Sequence, residues 1–157
     1  MTEKLSLVAR DDKDLQVIAA CLQDGLVRIG DFQFDSGERR FVVLINRFMW
    51  ETEVSANLDE PGNGDRQFSS APMHQRVHCG IAIDRVRSIK LQGINRQEKS
   101  RILNLLTIRS DEGGMSLVFS GAATIRLETD GIACRLEDLD EPWPTAWRPR
   151  HEDAGGA

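Results

Sequence analysis

Cysteine is scarce in this 157-residue chain. Cys21, Cys79 and Cys134 are odd in number, far apart and in no C-x-x-C pair, so neither a zinc site nor a dithiol redox motif is signalled. Each stands inside an apolar pattern, where a free thiol behaves as a small hydrophobe. Long hydrophobic runs are missing too. No stretch approaches the ~18 unbroken apolar residues of a membrane helix. The N-terminal stretch Met1–Arg10 lacks the apolar core and small-residue cleavage site of a secretory leader. A cytoplasmic protein that engages no membrane is therefore expected. An excess of positive charge is also absent: 20 Lys and Arg against 25 Asp and Glu leave a net charge of −5. Nucleic-acid binding relies on a positive field along the phosphates. The basic pairs, Arg39-Arg40 and Arg85 with Arg87, have acidic neighbours in Glu38 and Asp84, so no nucleic-acid partner is expected.

Catalytic signatures are equally sparse. Gly62-Asn63-Gly64 is followed by neither lysine nor helix, so it is no phosphate loop. His74 and His78 have the i, i+4 spacing of helical metal ligands, but their surroundings read as strand, where that spacing separates them by roughly 13 Å. No third ligand lies near, and no metal or other cofactor is expected. Ser36-Gly37 and Ser120-Gly121 lack a G-x-S-x-G context. The run Glu137-Asp138-Leu139-Asp140-Glu141 reads as a solvated helix end, because paired acid and base groups need an apolar pocket to split their pKa values. No catalytic residue is assigned.

What is present is apolar patterning, with 40% hydrophobic residues over a length that suits one domain. Leu5–Ala9 reads as a first strand. Asp11 and Asp12 offer N-caps to a helix over Lys13–Asp24, with Leu15, Ile18, Ala19 and Leu22 on one face and Gly25 as its stop. Val27–Ile29 and Phe32–Phe34 alternate, and Asp35–Glu38 is a turn. The strongest strand is Arg40–Trp50, apolar on both faces and so expected to be central and covered on two sides. A polar stretch at about 52–72 predicts a mobile loop.

The second half is a run of antiparallel candidates: Arg76–Ile83, Val86–Leu91, Met115–Phe119 and Ala123–Leu127, with Asp111–Gly114 as a hairpin turn. Arg101–Arg109 fits either strand or short helix. Thr129-Asp130 is expected to cap a second helix carrying Ile132, Ala133, Leu136 and Leu139, stopped by Pro142-Trp143-Pro144. The expected architecture is α+β: a curled antiparallel β-sheet or partial barrel of pleckstrin-like type, with an N-terminal and a C-terminal helix. One domain is expected over 1–149, with a disordered tail over 150–157, whose lead-in is tethered by Trp143 and Trp147.

The most unusual segment is Asn46-Arg47-Phe48-Met49-Trp50-Glu51. Asn and Arg in the centre of a buried strand must be satisfied, since an unpaired buried polar group costs ~1–3 kcal/mol and a charge more. Either Arg47 pairs with Asp31, Glu51 or a backbone carbonyl, or it presents a guanidinium beside aromatic rings as an anion or peptide anchor. Asn46, Arg47 and Trp50 are the binding candidates here. Arg126 is a second possible clamp, although it pairs most simply with Glu128 or a neighbouring strand.

The order of these motifs resembles a bacterial family, domain of unknown function 2948. It runs from Asp14-Leu15-Gln16-Val17 through Asn46-Arg47-Phe48-Met49-Trp50-Glu51 and Val86-Arg87-Ser88-Ile89. It continues to Ile125-Arg126-Leu127-Glu128, Leu136-Glu137-Asp138-Leu139 and Trp143. The resemblance implies one cytoplasmic domain and no particular reaction. Two functions from different classes stay open. One is a non-enzymatic binding or adaptor module for a protein or peptide partner, or one that self-associates. The other is an enzyme or sensor binding a small anionic metabolite through Arg47.

Overall fold

The computed structural model describes residues 4–51, 74–140 and, for the backbone alone, 143–145. The expected loop at 52–72 and the tail over 150–157 lie outside the described residues, as does any tether by Trp143 or Trp147. The described residues form an antiparallel sheet of eleven strands with one α-helix near its start.

Strand β1 (Ser6–Ala9) leads into α1 (Asp12–Leu22). The Asp11 carboxylate accepts from the Asp14 backbone N–H at 2.8 Å, and Asp12 and Asp14 place negative charge on the first turn, where the helix dipole favours it. Leu15, Ile18, Ala19 and Leu22 are buried, as their spacing predicts. The helix ends one residue earlier than a glycine stop would have it. Asp24 itself takes the left-handed conformation (φ 63°), and its N–H reaches the Leu105 carbonyl at 2.8 Å. Gly25 instead opens β2 (Gly25–Arg28), and its lack of a side chain is a packing need. A Cβ there would stand 2.7 Å from Ile45 Cγ2 and 2.9 Å from the Leu22 carbonyl.

After a short 3₁₀ turn come β3 (Phe32–Asp35), β4 (Arg40–Phe48), β5 (His74–Ile83) and β6 (Val86–Gln92). Then follow β7 (Ile102–Asp111), β8 (Gly114–Phe119), β9 (Ala123–Thr129), β10 (Cys134–Asp138) and β11 (Trp143–Thr145). Hydrogen bonding links them in the order β1-β10-β5-β4-β2-β7-β8-β9-β6, with β3 beside β4 and β11 beside β5. Two short connections between unpaired strands carry the chain across the middle: β5 passes to β6 through Asp84-Arg85, and β9 passes to β10 through residues 130–133. Both blocks share one core, in which Val43, Ile45 and Ile81 belong to the same cluster as Leu117, Ile125 and Leu127.

The Arg101–Arg109 ambiguity resolves as strand. A bulge between Leu105 and Thr107 rephases the pleat, so Leu103, Leu105 and Ile108 all face inward. That rephasing is what blurred the period. The hairpin turn stands at Glu112-Gly113, with the Asp111 carboxylate accepting from the Gly113 and Gly114 N–H groups at 2.9 and 3.1 Å.

Three expectations need correction. First, no C-terminal helix forms among the described residues; the segment given to it becomes β10, hydrogen-bonded between β1 and β5. Cys134, Leu136 and Asp138 are buried, while Arg135 and Glu137 point out. Period two and period 3.6 coincide on so short a segment, and two strand edges needing partners outweigh local propensity. Second, the sheet is neither closed nor strongly curled, so the partial barrel and its pleckstrin-like form are not what the chain builds. Among the described residues the hydrogen-bonded path ends on β1 and β6, each paired on one side. Third, among the described residues β4 is covered along one face, while the other is closed over Phe48 and open from Val42 to Asn46. Phe41, Val43, Ile45 and Arg47 are buried, whereas Val42 is 39% exposed and Leu44 and Asn46 are half-buried.

Candidate functional site

Pleating turns Arg47 into the core side of β4, opposite Val77 of β5, and its side chain is fully buried. Nothing apolar can satisfy a guanidinium there, and two carboxylates do. Nε donates to Asp138 Oδ1 at 2.8 Å, and Nη2 donates to Asp138 Oδ2 at 2.8 Å. Nη1 and Nη2 donate to the two oxygens of Glu51 at 3.0 and 2.8 Å. Asp138 Oδ2 also accepts from the Leu5 N–H at 2.9 Å, and the Asp138 N–H donates to the Leu5 carbonyl at 2.9 Å. Asp138 is buried and Glu51 about half exposed. Burial lowers the Arg47 pKa, but the hydrogen bonds to Asp138 and Glu51 outweigh it and hold the group above its ordinary value. Arg47 therefore pins together β4, the end of β10, the lead-in to β1 and the start of the segment after β4. Pairing with Glu51 was expected; Asp138 was missed, because a helix over 130–139 would have left it in solvent.

The other candidates do not join Arg47 in one pocket. Asn46 faces the opposite side of β4, and its side-chain and backbone oxygens accept from Arg76 Nη1 at 2.9 and 3.0 Å. Trp50 donates through its indole N–H to the Gln23 carbonyl at 2.9 Å and stands edge-on to Phe48, with centroids 4.6 Å apart. The guanidinium over the aromatic ring is that of Arg76, 5.6 Å from the Phe48 centroid. Arg126 lies on β9 and grips the β7–β8 turn, its Nη1 and Nη2 donating to Asp111 at 2.6 and 2.8 Å. Its Nε also reaches Glu128 at 3.5 Å.

The Arg126 hydrogen bonds draw the Asp111 carboxyl down to about 2 from an ordinary 3.8. A depressed carboxyl stabilises the fold above its ordinary value, and that contribution is lost as the pH falls toward the folded value. A 13C NMR titration of Asp111 is expected to give a midpoint near 2, and Arg126→Ala is expected to return it toward 3.8. An unmoved midpoint would show that the turn's own N–H groups set it.

The thiols offer no nucleophile. Burial pushes Cys79 and Cys134 up to about 12 and raises Cys21, so the reactive thiolate is suppressed. Among the described residues, no group of three or more His, Cys, Asp and Glu side chains is placed to hold a metal ion. His78 and Asp140 form an exposed pair, Nδ1 to Oδ2, at 2.8 Å.

Among the described residues, a mostly apolar open feature lies on the outer face of the sheet. Val42 and Leu44 of β4, Gly80 and Ala82 of β5, and Leu139 border a shallow groove of about 350 Å³, with Arg135, Glu137 and Asp31 on its rim. A smaller hollow of about 120 Å³ continues from Leu44 over Leu26, Asn46, His78 and Ile102. Val8, Val42, Ile102 and Leu139 are among the most exposed large hydrophobics of the described chain. Two small residues on β5 beside branched ones on β4 make the depression. Strand register aligns them, so alternation within either strand alone could not show it.

A family model described as "Protein of unknown function (DUF2948)" matches residues 5–151. The chain belongs to the DUF2948 family. No curated protein and no solved structure matches it. For this DUF2948 chain the site must therefore be read from its own geometry, in which a largely buried ionic clamp and an apolar groove stand out among the described residues.

Proposed function

We propose that this DUF2948 protein is a non-enzymatic binding or adaptor module that takes a protein or peptide partner on the outer face of its sheet. The observation that carries this is the groove between Val42, Leu44 and Leu139, floored by Gly80 and Ala82. An apolar floor with a rim of both charge signs is the composition of a protein-docking patch. The rival function, an enzyme or sensor clamping a small anion on Arg47, has no comparable support. All three nitrogens of that guanidinium already donate to Asp138 or Glu51, so an anion would have to displace a carboxylate already in place.

Tagged chain, wild type and Val42→Lys, used as bait in a lysate of producing cells tests the proposal. The wild type is expected to retain a specific protein, untagged copies of the chain included, and Val42→Lys to lose it. Retention indifferent to Val42→Lys, or no specific capture at all, would sink the assignment.

A further inference from the structure

The outer face of the block formed by β1, β10, β5 and β4 is patterned to complement itself. Register sets two rows across the strands: Val8, Arg135, Ala82 and Val42 in one, and Ser6, Glu137, Gly80 and Leu44 in the next. Same-face neighbours on a strand are roughly 7 Å apart. A two-fold axis lying in the plane of the face, across the strands and midway between the rows, lays each row on the other row of a second molecule. Arg135 then meets Glu137 of the second copy, the Leu139 side chain that lies over Gly80 meets Ala82, and Val42 meets Leu44. Opposite charges face each other toward one end, the small Ala82 leaves room for Leu139 at the centre, and branched side chains fill the flank.

An axis running along β10 would instead stack Arg135 on Arg135, so the charges disfavour that arrangement. Both side chains are exposed, and neither takes part in a side-chain hydrogen bond or ion pair with the described residues. Asp31, on the far rim, is already engaged by Arg28 at 3.5 Å. With the adjoining hollow the face runs across β1, β10, β5, β4, β2 and β7, a breadth of about 29 Å at ~4.8 Å per strand.

From this pattern we infer that the occupant of the groove is a second copy of this chain, packed sheet on sheet about a two-fold axis that crosses β10 between Arg135 and Glu137. The inference rests on the docking surface proposed above and names its partner.

Sedimentation velocity of the full chain from about 1 to 100 μM tests it. The mass is expected to rise from that of the 17.6 kDa monomer toward twice that value. Arg135→Glu alone, or Glu137→Arg alone, sets like charges across the axis and is expected to weaken the dimer about tenfold or more. The two reversals together are expected to restore its dissociation constant to within about threefold, since each swapped charge again finds its opposite. Thermal melts of the three variants should coincide with wild type. If one does not, Val8→Lys, at the edge of the face, is the substitute probe and must also weaken the dimer. A chain monomeric throughout, or a dimer indifferent to the single reversals and to Val8→Lys, overturns the inference. If the chain is monomeric while Val42→Lys still abolishes capture of a different protein from lysate, the second-copy assignment alone is wrong. If neither property responds to Val42→Lys, the docking surface itself falls.

Discussion

Asp138→Asn is expected to destabilise the fold by about 3–5 kcal/mol, the range for breaking a buried ion pair from one side. The substitution is nearly isosteric, so packing is not what is lost. Asp138 accepts from Arg47 Nε at one oxygen and from Arg47 Nη2 and the Leu5 N–H at the other. An amide keeps one acceptor, and whichever way it turns, its NH₂ faces an N–H donor. Arg47, fully buried, is left with Glu51 as its one charged partner. Out of a total stability of about 5–15 kcal/mol, such a loss is large, and the melting temperature should fall by roughly 10 °C. Glu51→Gln, at the half-exposed side of the same guanidinium, should cost about 1 kcal/mol or less because solvent screens that bond. Replacing both buried charges, Arg47→Met with Asp138→Leu, should cost less than Asp138→Asn alone, because neither partner is stranded. Urea unfolding of the three variants measures this. Asp138→Asn within about 1 kcal/mol of wild type would mean that water reaches the clamp.

Gly114→Ala is expected to lower stability by about 3 kcal/mol, the upper part of the range for overpacking. Gly114 begins β8, and a Cβ there would collide with the Leu127 carbonyl and stand 3.0 Å from the Glu128 Cα. Both obstacles are backbone atoms of β9, held by the β8–β9 register that pairs Gly114 with Glu128, so no side chain can swing aside. The methyl must push two paired strands apart beside the tight β7–β8 turn. Gly121→Ala is the informative contrast: a Cβ there meets no atom within 4 Å, and only its positive φ of 75° opposes the change. Equal losses in the two variants would mean that backbone conformation, rather than the close approach, dominates at Gly114.

Much of the fold was legible in the sequence because local rules and global packing agree over those stretches. Asp11 capping and the Leu15-Ile18-Leu22 stripe fixed the helix. Alternation in Arg76–Ile83 and Ala123–Leu127 fixed strands whose inward residues are those expected. The segment around Leu136 was misread because five residues fit either period, and what decided it was two strand edges far away in the chain. The two-sided cover expected for β4 failed for a related reason: Val42 and Leu44 are apolar enough to be buried, yet among the described residues no element lies over them. Arg47 was recognisable as a charge in need of a partner, and Glu51 as one such partner. The groove was not legible at all, since it arises only where Gly80 and Ala82 fall beside Leu44 and Val42.

The order of pairing carries a consequence for how the chain comes off the ribosome. Strand β1 is made before the rest of the described sheet, but among the described residues its strand partner is β10, and the bond from Leu5 to Asp138 spans 133 residues. Strand β1 must therefore wait for β10 to be translated before that edge of the sheet can close. Contacts this distant in sequence slow folding. Until then β5 presents an empty edge to the nascent polypeptides around it.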